Sequence, residues 1–149
     1  MLFSVIKKLI YILRDDKNKD YMAKHKVHYE FPMHCLSEIL YEYLATAEGL
    51  SEWFADEVTE KGDDFFFSWG GGPAEKATLI RYKPEGFVRF RWEEDEGTKN
   101  FFEMTITIDD ITEDLALNIT DFCEEGDEEE NALYWENLIE NLRIKLGAA

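Results

Sequence analysis

Few side chains in this sequence have both the type and the spacing that chemistry requires. His25, His28, His34 and Cys35 lie within one short stretch and are of the kinds that ligate zinc and softer metals. On a strand, however, His25 and His28 point to opposite faces, and Pro32 separates them from His34 and Cys35. No metal is therefore expected. The chain contains no Gly-x-Ser-x-Gly elbow, no His-Glu-x-x-His helix and no Walker loop. Gly70-Gly71-Gly72 is followed by Pro73 rather than by Lys and a hydroxyl residue, so it reads as a hairpin turn. No catalytic residue and no cofactor are expected.

Asp121 is the remaining candidate. It shares the parity of Leu115, Leu117 and Ile119, which points it at the interior. There a carboxylate could bind a ligand or shuttle a proton. The ordinary alternative is a strand end or bulge that takes it to solvent or to a backbone group. Arg89 and Arg91 alternate with Phe90 and so lie on the opposite, wetted face, as ion-pair partners for the abundant acids or as a partner-binding patch.

These residues are positioned by alternating patterns. Val27, Tyr29 and Phe31 make a half-buried first strand, which Pro32 is expected to end. Leu36 to Leu44 has helical spacing with Ser37 at its start, Gly49 breaks that pattern, and Leu50 to Phe54 makes a second short helical turn whose Trp53-Phe54 pair plugs one end of the core. The period then becomes two: Phe65, Phe67 and Trp69; Ala77 to Tyr82; Val88, Phe90 and Trp92; Phe102, Met104, Ile106 and Ile108; Leu115, Leu117 and Ile119. Short links between these runs predict an antiparallel meander. The acids Asp127 to Glu130 suit the positive end of a helix dipole. Trp135, Leu138, Ile139, Leu142 and Leu146 form its apolar stripe, and Gly147 stops it. Only the concave side of the sheet is large enough to receive that stripe.

Composition bounds the function. At 149 residues the chain suits one domain with a core that needs no disulfide or metal. Aromatics make up 15% of it, which favours a bulky core or an aromatic-lined pocket. The net charge of -17 argues against nucleic acid and against anionic membranes. Cys35 and Cys123 read as reduced thiols of a cytoplasmic protein. Residues 1–21 read as an extension. Leu2, Val5, Ile6, Leu9, Ile12 and Leu13 have helical spacing, but the run is too short to span a bilayer and does not resemble a signal peptide. Met22 is a candidate functional start, and a membrane-surface helix is the sharper alternative for the extension.

The order of elements resembles the START-like, helix-grip superfamily, in the branch related to the activator of the ninety-kilodalton heat-shock protein's ATPase. The matching residues are Thr46 to Phe54, Phe87 to Trp92, Ile119 to Phe122 and the helix carrying Trp135 to Leu142. The chain is most similar to small acidic bacterial proteins of that fold. The resemblance covers Met22 to Leu146, with the domain set at 22–147. It implies an α+β helix-grip fold: two short helices after the first strand, then a curved antiparallel sheet of about six to seven strands around a long C-terminal helix. It also implies a cavity for a hydrophobic small molecule or lipid. The expected lining is Phe67, Val88, Phe90, Trp92, Met104, Ile106, Leu117, Ile119 and Asp121 from the sheet, with Trp135, Leu138 and Leu142 from the helix. A non-catalytic binding role leads. A protein-interaction or chaperone-cofactor module and a cyclase-like or hydrolase-like enzyme are the alternatives, in a monomer or homodimer.

Overall fold

The structure is a computed structural model and describes residues 23–147. The reading of residues 1–21 as a separate extension lies outside them. The elements run β1 (Lys24–Met33), α1 (Ser37–Ala45), α2 (Ala47–Trp53), β2 (Glu57–Lys61), β3 (Asp64–Ser68), β4 (Glu75–Lys83), β5 (Phe87–Trp92), a 3-10 turn (Glu93–Asp95), β6 (Phe102–Ile108), β7 (Leu115–Glu124) and α3 (Glu128–Leu146). All seven strands form one antiparallel sheet in the order β1-β7-β6-β5-β4-β3-β2. β2 to β7 are the meander. β1 lies beyond it, paired with β7 from Lys24↔Glu124 to Met33↔Leu115. The architecture is α+β, a sheet closed on the long helix α3.

Three local expectations are corrected. Pro32 does not end β1: it sits opposite Ala116, inside the strand. β1 is an edge strand with a neighbour on one side only, so a residue without an N–H is tolerated there. The strand β2 is additional to those read from the pattern. Only Val58 of its five residues is buried, so it carries no alternation. It is fixed from α2, where Ser51 Oγ accepts from the Val58 N–H at 3.0 Å.

Gly49 is the third correction. It does not interrupt a helix but lies inside α2, which Thr46 starts. The Thr46 hydroxyl accepts from the Gly49 N–H at 3.0 Å and donates to the Glu42 carbonyl at 2.8 Å. One side chain thus closes α1 and caps α2. Ser37 is the first helical residue of α1, and no side chain caps that end. Where Gly49 passes α1, an added Cβ would stand 2.3 Å from the Glu42 carbonyl oxygen and 2.6 Å from the Tyr43 Cα. The glycine is needed for a close crossing of two backbones.

α3 spans 19 residues, with Glu128, Glu129 and Glu130 in its first turn and Arg143 and Lys145 in its last. Both ends complement the dipole. Gly147, at φ 67°, ends it in the left-handed conformation. Tyr134, Trp135, Leu138, Ile139 and Leu142 are buried against the sheet. The register of β4 against β5 shifts between Leu79 and Arg81, leaving Ile80 as the extra residue of a bulge. Such a bulge bends the strand and raises its twist, which helps the sheet curve around the helix.

Candidate functional site

The concave face of the sheet, the α2 elbow and α3 enclose one aromatic layer. Phe54 sits at its centre, with ring centroids of Phe67 at 5.2 Å, Phe102 at 5.6 Å, Trp135 at 6.1 Å and Trp92 at 6.4 Å. Phe90 stacks on Phe102 at 5.2 Å and meets Phe65 edge-on at 5.1 Å. The residues expected to line a cavity are gathered here. Phe67, Val88, Phe90, Met104, Leu117, Ile119, Leu138 and Leu142 are fully buried, with Trp135, Ile106 and Asp121 nearly so. Trp92 is half-buried. Phe54, Phe65 and Phe102 belong to the same layer, although the lining read from the sequence omits them. For Phe65 and Phe102 the alternation with Phe67 and Met104 already carries the signal. Phe54, read from the sequence as half of the pair that plugs one end of the core, is buried just beyond α2 and reaches the centre of the layer.

Asp121 lies within β7, which runs on to Glu124, and it faces α3 rather than solvent. Its Oδ2 accepts from Trp135 Nε1 at 2.8 Å and from Asn131 Nδ2 at 3.1 Å. Its Oδ1 accepts from the Phe122 N–H at 2.8 Å. The Tyr29 hydroxyl donates to Asn131 Oδ1 at 2.7 Å, so the network joins β1, β7 and α3. The carboxylate is turned inward onto donors of its own fold. That arrangement ties the helix to the sheet.

Burial, followed by the charges of Cys123, Asp121, Glu128 and Glu136, pushes the Tyr29 hydroxyl well above its ordinary value of 10.0. An acid whose folded pKa is raised keeps its full stabilising effect below the unfolded pKa and loses it as pH climbs toward the folded value. Wild-type protein should therefore lose stability above about pH 10. In Tyr29→Phe this part of the alkaline loss should vanish, as read by urea midpoints across that range. An unchanged alkaline slope in the variant would assign the loss to other groups.

A groove of about 340 Å³ opens beside the aromatic layer. Ser51, Glu52, Trp53, Ala55 and Asp56 form one wall, and Asn141, Ile144 and Lys145 of the last turns of α3 form the other. Lys145 Nζ reaches Glu52 Oε2 at 3.8 Å across it. Trp53 is buried, with its indole N–H donating to the Tyr43 carbonyl at 2.9 Å and its ring 5.4 Å from Phe54. The groove therefore abuts the aromatic layer through one side chain. A hydrogen bond from the Gly70 N–H holds the Asp56 carboxyl below the usual carboxylate range.

Among the described residues, no group of three or more His, Cys, Asp or Glu side chains is placed to hold a metal ion. His25 pairs instead with Glu128 at 3.2 Å. No disulfide joins Cys35, which is half-buried, to the buried Cys123. No helix of the described residues is long and apolar enough to cross a membrane.

Residues 21–148 match the family described as START-like superfamily domain. The chain belongs to the START-like superfamily. Among solved structures, this START-like domain is 30% identical to BfR322 from Bacteroides fragilis, over 83% of its own length and 92% of the other's, with a TM-score of 0.60. It shares its fold with the Aha1 dimer of Colwellia psychrerythraea at 14% identity and a TM-score of 0.67, over 82% and 96% of the two chains. It also shares its fold with DynU16, a putative protein in the dynemicin biosynthetic locus, at 17% identity and a TM-score of 0.60, over 83% and 48%. No curated protein matches.

Proposed function

We propose that this START-like domain is a non-catalytic binding module for a small hydrophobic molecule or lipid, received where the sheet meets α3. The groove between α2 and the end of α3 carries this reading. Its volume of about 340 Å³ exceeds the roughly 300 Å³ at which ligand pockets begin. Behind Trp53 stand the packed rings of Phe54, Trp135 and Phe102, which give the groove an apolar backing. The inward engagement of Asp121 supports binding over catalysis. In this reading the expected lining residues of the sheet and of Trp135, Leu138 and Leu142 form the back wall, and the groove is the mouth.

Nile red, a neutral dye that the acidic surface does not repel, should bind saturably with enhanced emission. Ile144→Glu places a charge on an exposed position of the groove wall and should weaken binding about tenfold, about 1.4 kcal/mol. Native mass spectrometry of freshly purified protein should show an adduct that the dye displaces. Unsaturable dye partitioning, equal in the variant, together with a bare mass would defeat the proposal.

A further inference from the structure

The convex face of the sheet has a charge character opposite to that of the chain. Strand alternation places Lys26, Arg81, Lys83, Arg89 and Arg91 on this face, with Lys24, Lys61 and Lys76 toward its margins. Every other lysine or arginine of the described residues is Lys99, Arg143 or Lys145. Convex carboxylates are limited to Glu30, Glu103 and Glu124 on the five strands from β1 to β4 across the sheet, with Glu57 and Asp64 on β2 and β3 beside Lys61. A protein carrying 33 acidic and 16 basic residues has thus collected most of its described cations on one side of one sheet.

The abundant acids neutralise only part of this set by ion pairing. Lys24 pairs with Asp95 at 3.2 Å, Lys76 with Glu96 at 3.9 Å and Arg89 with Glu103 at 2.6 Å. Among the described residues, Lys26, Arg81, Lys83 and Arg91 pair with no carboxylate; the Arg91 Nε–H donates to the Asn100 carbonyl at 2.8 Å. Several cations of this face, Arg89 among them, also lie over half-buried rings. Arg89 is 4.0 Å from the Phe101 centroid, Arg81 is 5.5 Å from Phe87, and Lys26 is 5.9 Å from both Phe101 and Phe122. Stacking fixes a guanidinium in place and leaves its edge N–H groups for a carboxylate fork. The face therefore offers cations already ordered, with apolar rings between them.

We propose that this convex face is a docking surface for an acidic segment of a partner protein. The net charge of -17 does not forbid it. At physiological salt the Debye length is about 8 Å, so carboxylates on the far side of the domain are screened from a ligand lying on this face. Nucleic acid fits less well. Its charge is unbroken along the backbone, so Glu30 and Glu103 within the patch would meet phosphates, whereas a peptide can set neutral residues opposite them.

The test uses the full chain, labelled with nitrogen-15, and a poly-glutamate peptide of roughly eight residues, long enough in extended form to cross about 20 Å of sheet. Shifts should be confined to β1 and β4 to β7, and binding should fade as salt is raised. The triple variant Lys26→Ala, Arg81→Ala, Arg91→Ala should bind at least about tenfold more weakly. The variant Lys99→Ala, Arg143→Ala, Lys145→Ala loses the same charge elsewhere and should bind as the wild type does. Equal weakening in both variants would reduce the effect to net charge and overturn the proposal. Tighter binding of an oligothymidylate than of the peptide would overturn the choice of partner. Absent peptide shifts with a dimer that dissociates only in the first variant would assign the face to a second copy of the chain. None of these outcomes bears on the groove, since its dye binding is read separately.

Discussion

Gly49→Ala should be among the most damaging single-methyl changes available in this protein. In an ordinary helix interior the substitution gains roughly 1 kcal/mol of helix propensity. Here the new Cβ would meet Glu42 O at 2.3 Å, the Tyr43 Cα at 2.6 Å and the Glu42 carbonyl carbon at 2.9 Å. All three are backbone atoms, so no side chain can swing aside. α1 and α2 must separate, which pulls Leu40, Leu44 and Leu50 out of a core in which each is fully buried. Overpacking of this kind costs about 1–3 kcal/mol and more where backbone has to move. We expect a net loss of about 3 kcal/mol, a fall in Tm of roughly 10 °C for a domain of this size. Urea or thermal unfolding measures it. A neutral or stabilising result would mean that the elbow has slack and that the close crossing is not required.

The second large effect is expected at Asp121. Asp121→Ala leaves the Trp135 indole N–H and the Asn131 amide without their buried acceptor. Each orphaned donor costs about 1–3 kcal/mol, so the sum should be about 3 kcal/mol. Asp121→Asn keeps the shape but turns an amide N–H₂ toward donors on one side or the other, and it should lose about 2 kcal/mol. The decisive measurement is a double-mutant cycle with Trp135→Phe. Removing both partners of the 2.8 Å bond should cost clearly less than the two single losses added together. Strict additivity would show that the indole bond contributes nothing of its own. The indole proton resonance of Trp135 should shift upfield in Asp121→Asn, which localises the change.

The two sites differ in how much of them could be read from residue order. Asp121 shows its inward direction through its parity with Leu117 and Ile119. Its partners do not show themselves, because Tyr29, Asn131 and Trp135 come from two other elements and meet it only when α3 settles. Trp135 announces itself as part of an apolar stripe, and nothing in that stripe indicates that its N–H is also used. Gly49 is more misleading. A glycine between two helical patterns has the ordinary reading of a break, and only the crossing distance to Glu42 shows that it belongs inside a helix. Pro32 and β2 were obscured for a related reason. Both depend on which strands lie at the sheet's edges, and edge position follows from the order β1-β7-β6-β5-β4-β3-β2 rather than from local pattern. By contrast, β3 to β7 and α3 each carry their own periodicity, and their existence and inner faces could be read directly. The groove had no local signal, since its walls, Ser51 to Asp56 and Asn141 to Lys145, lie far apart in the chain.

The pairing of β1 with β7 also sets an order of events during synthesis. β1 leaves the ribosome first, yet its hydrogen-bonding partner is the final strand, roughly eighty residues later from Met33 to Leu115. At about 5–20 residues per second, that strand waits some 4–16 s with an open edge and with Tyr29 and Phe31 uncovered. The meander from β2 onward can assemble as it emerges, since each strand meets the one just made. The first-made strand of the sheet is thus the last to be paired. The lysines and histidines along it (Lys24, His25, Lys26 and His28) are the kind of residues that keep a waiting strand from pairing with its neighbours on the polysome.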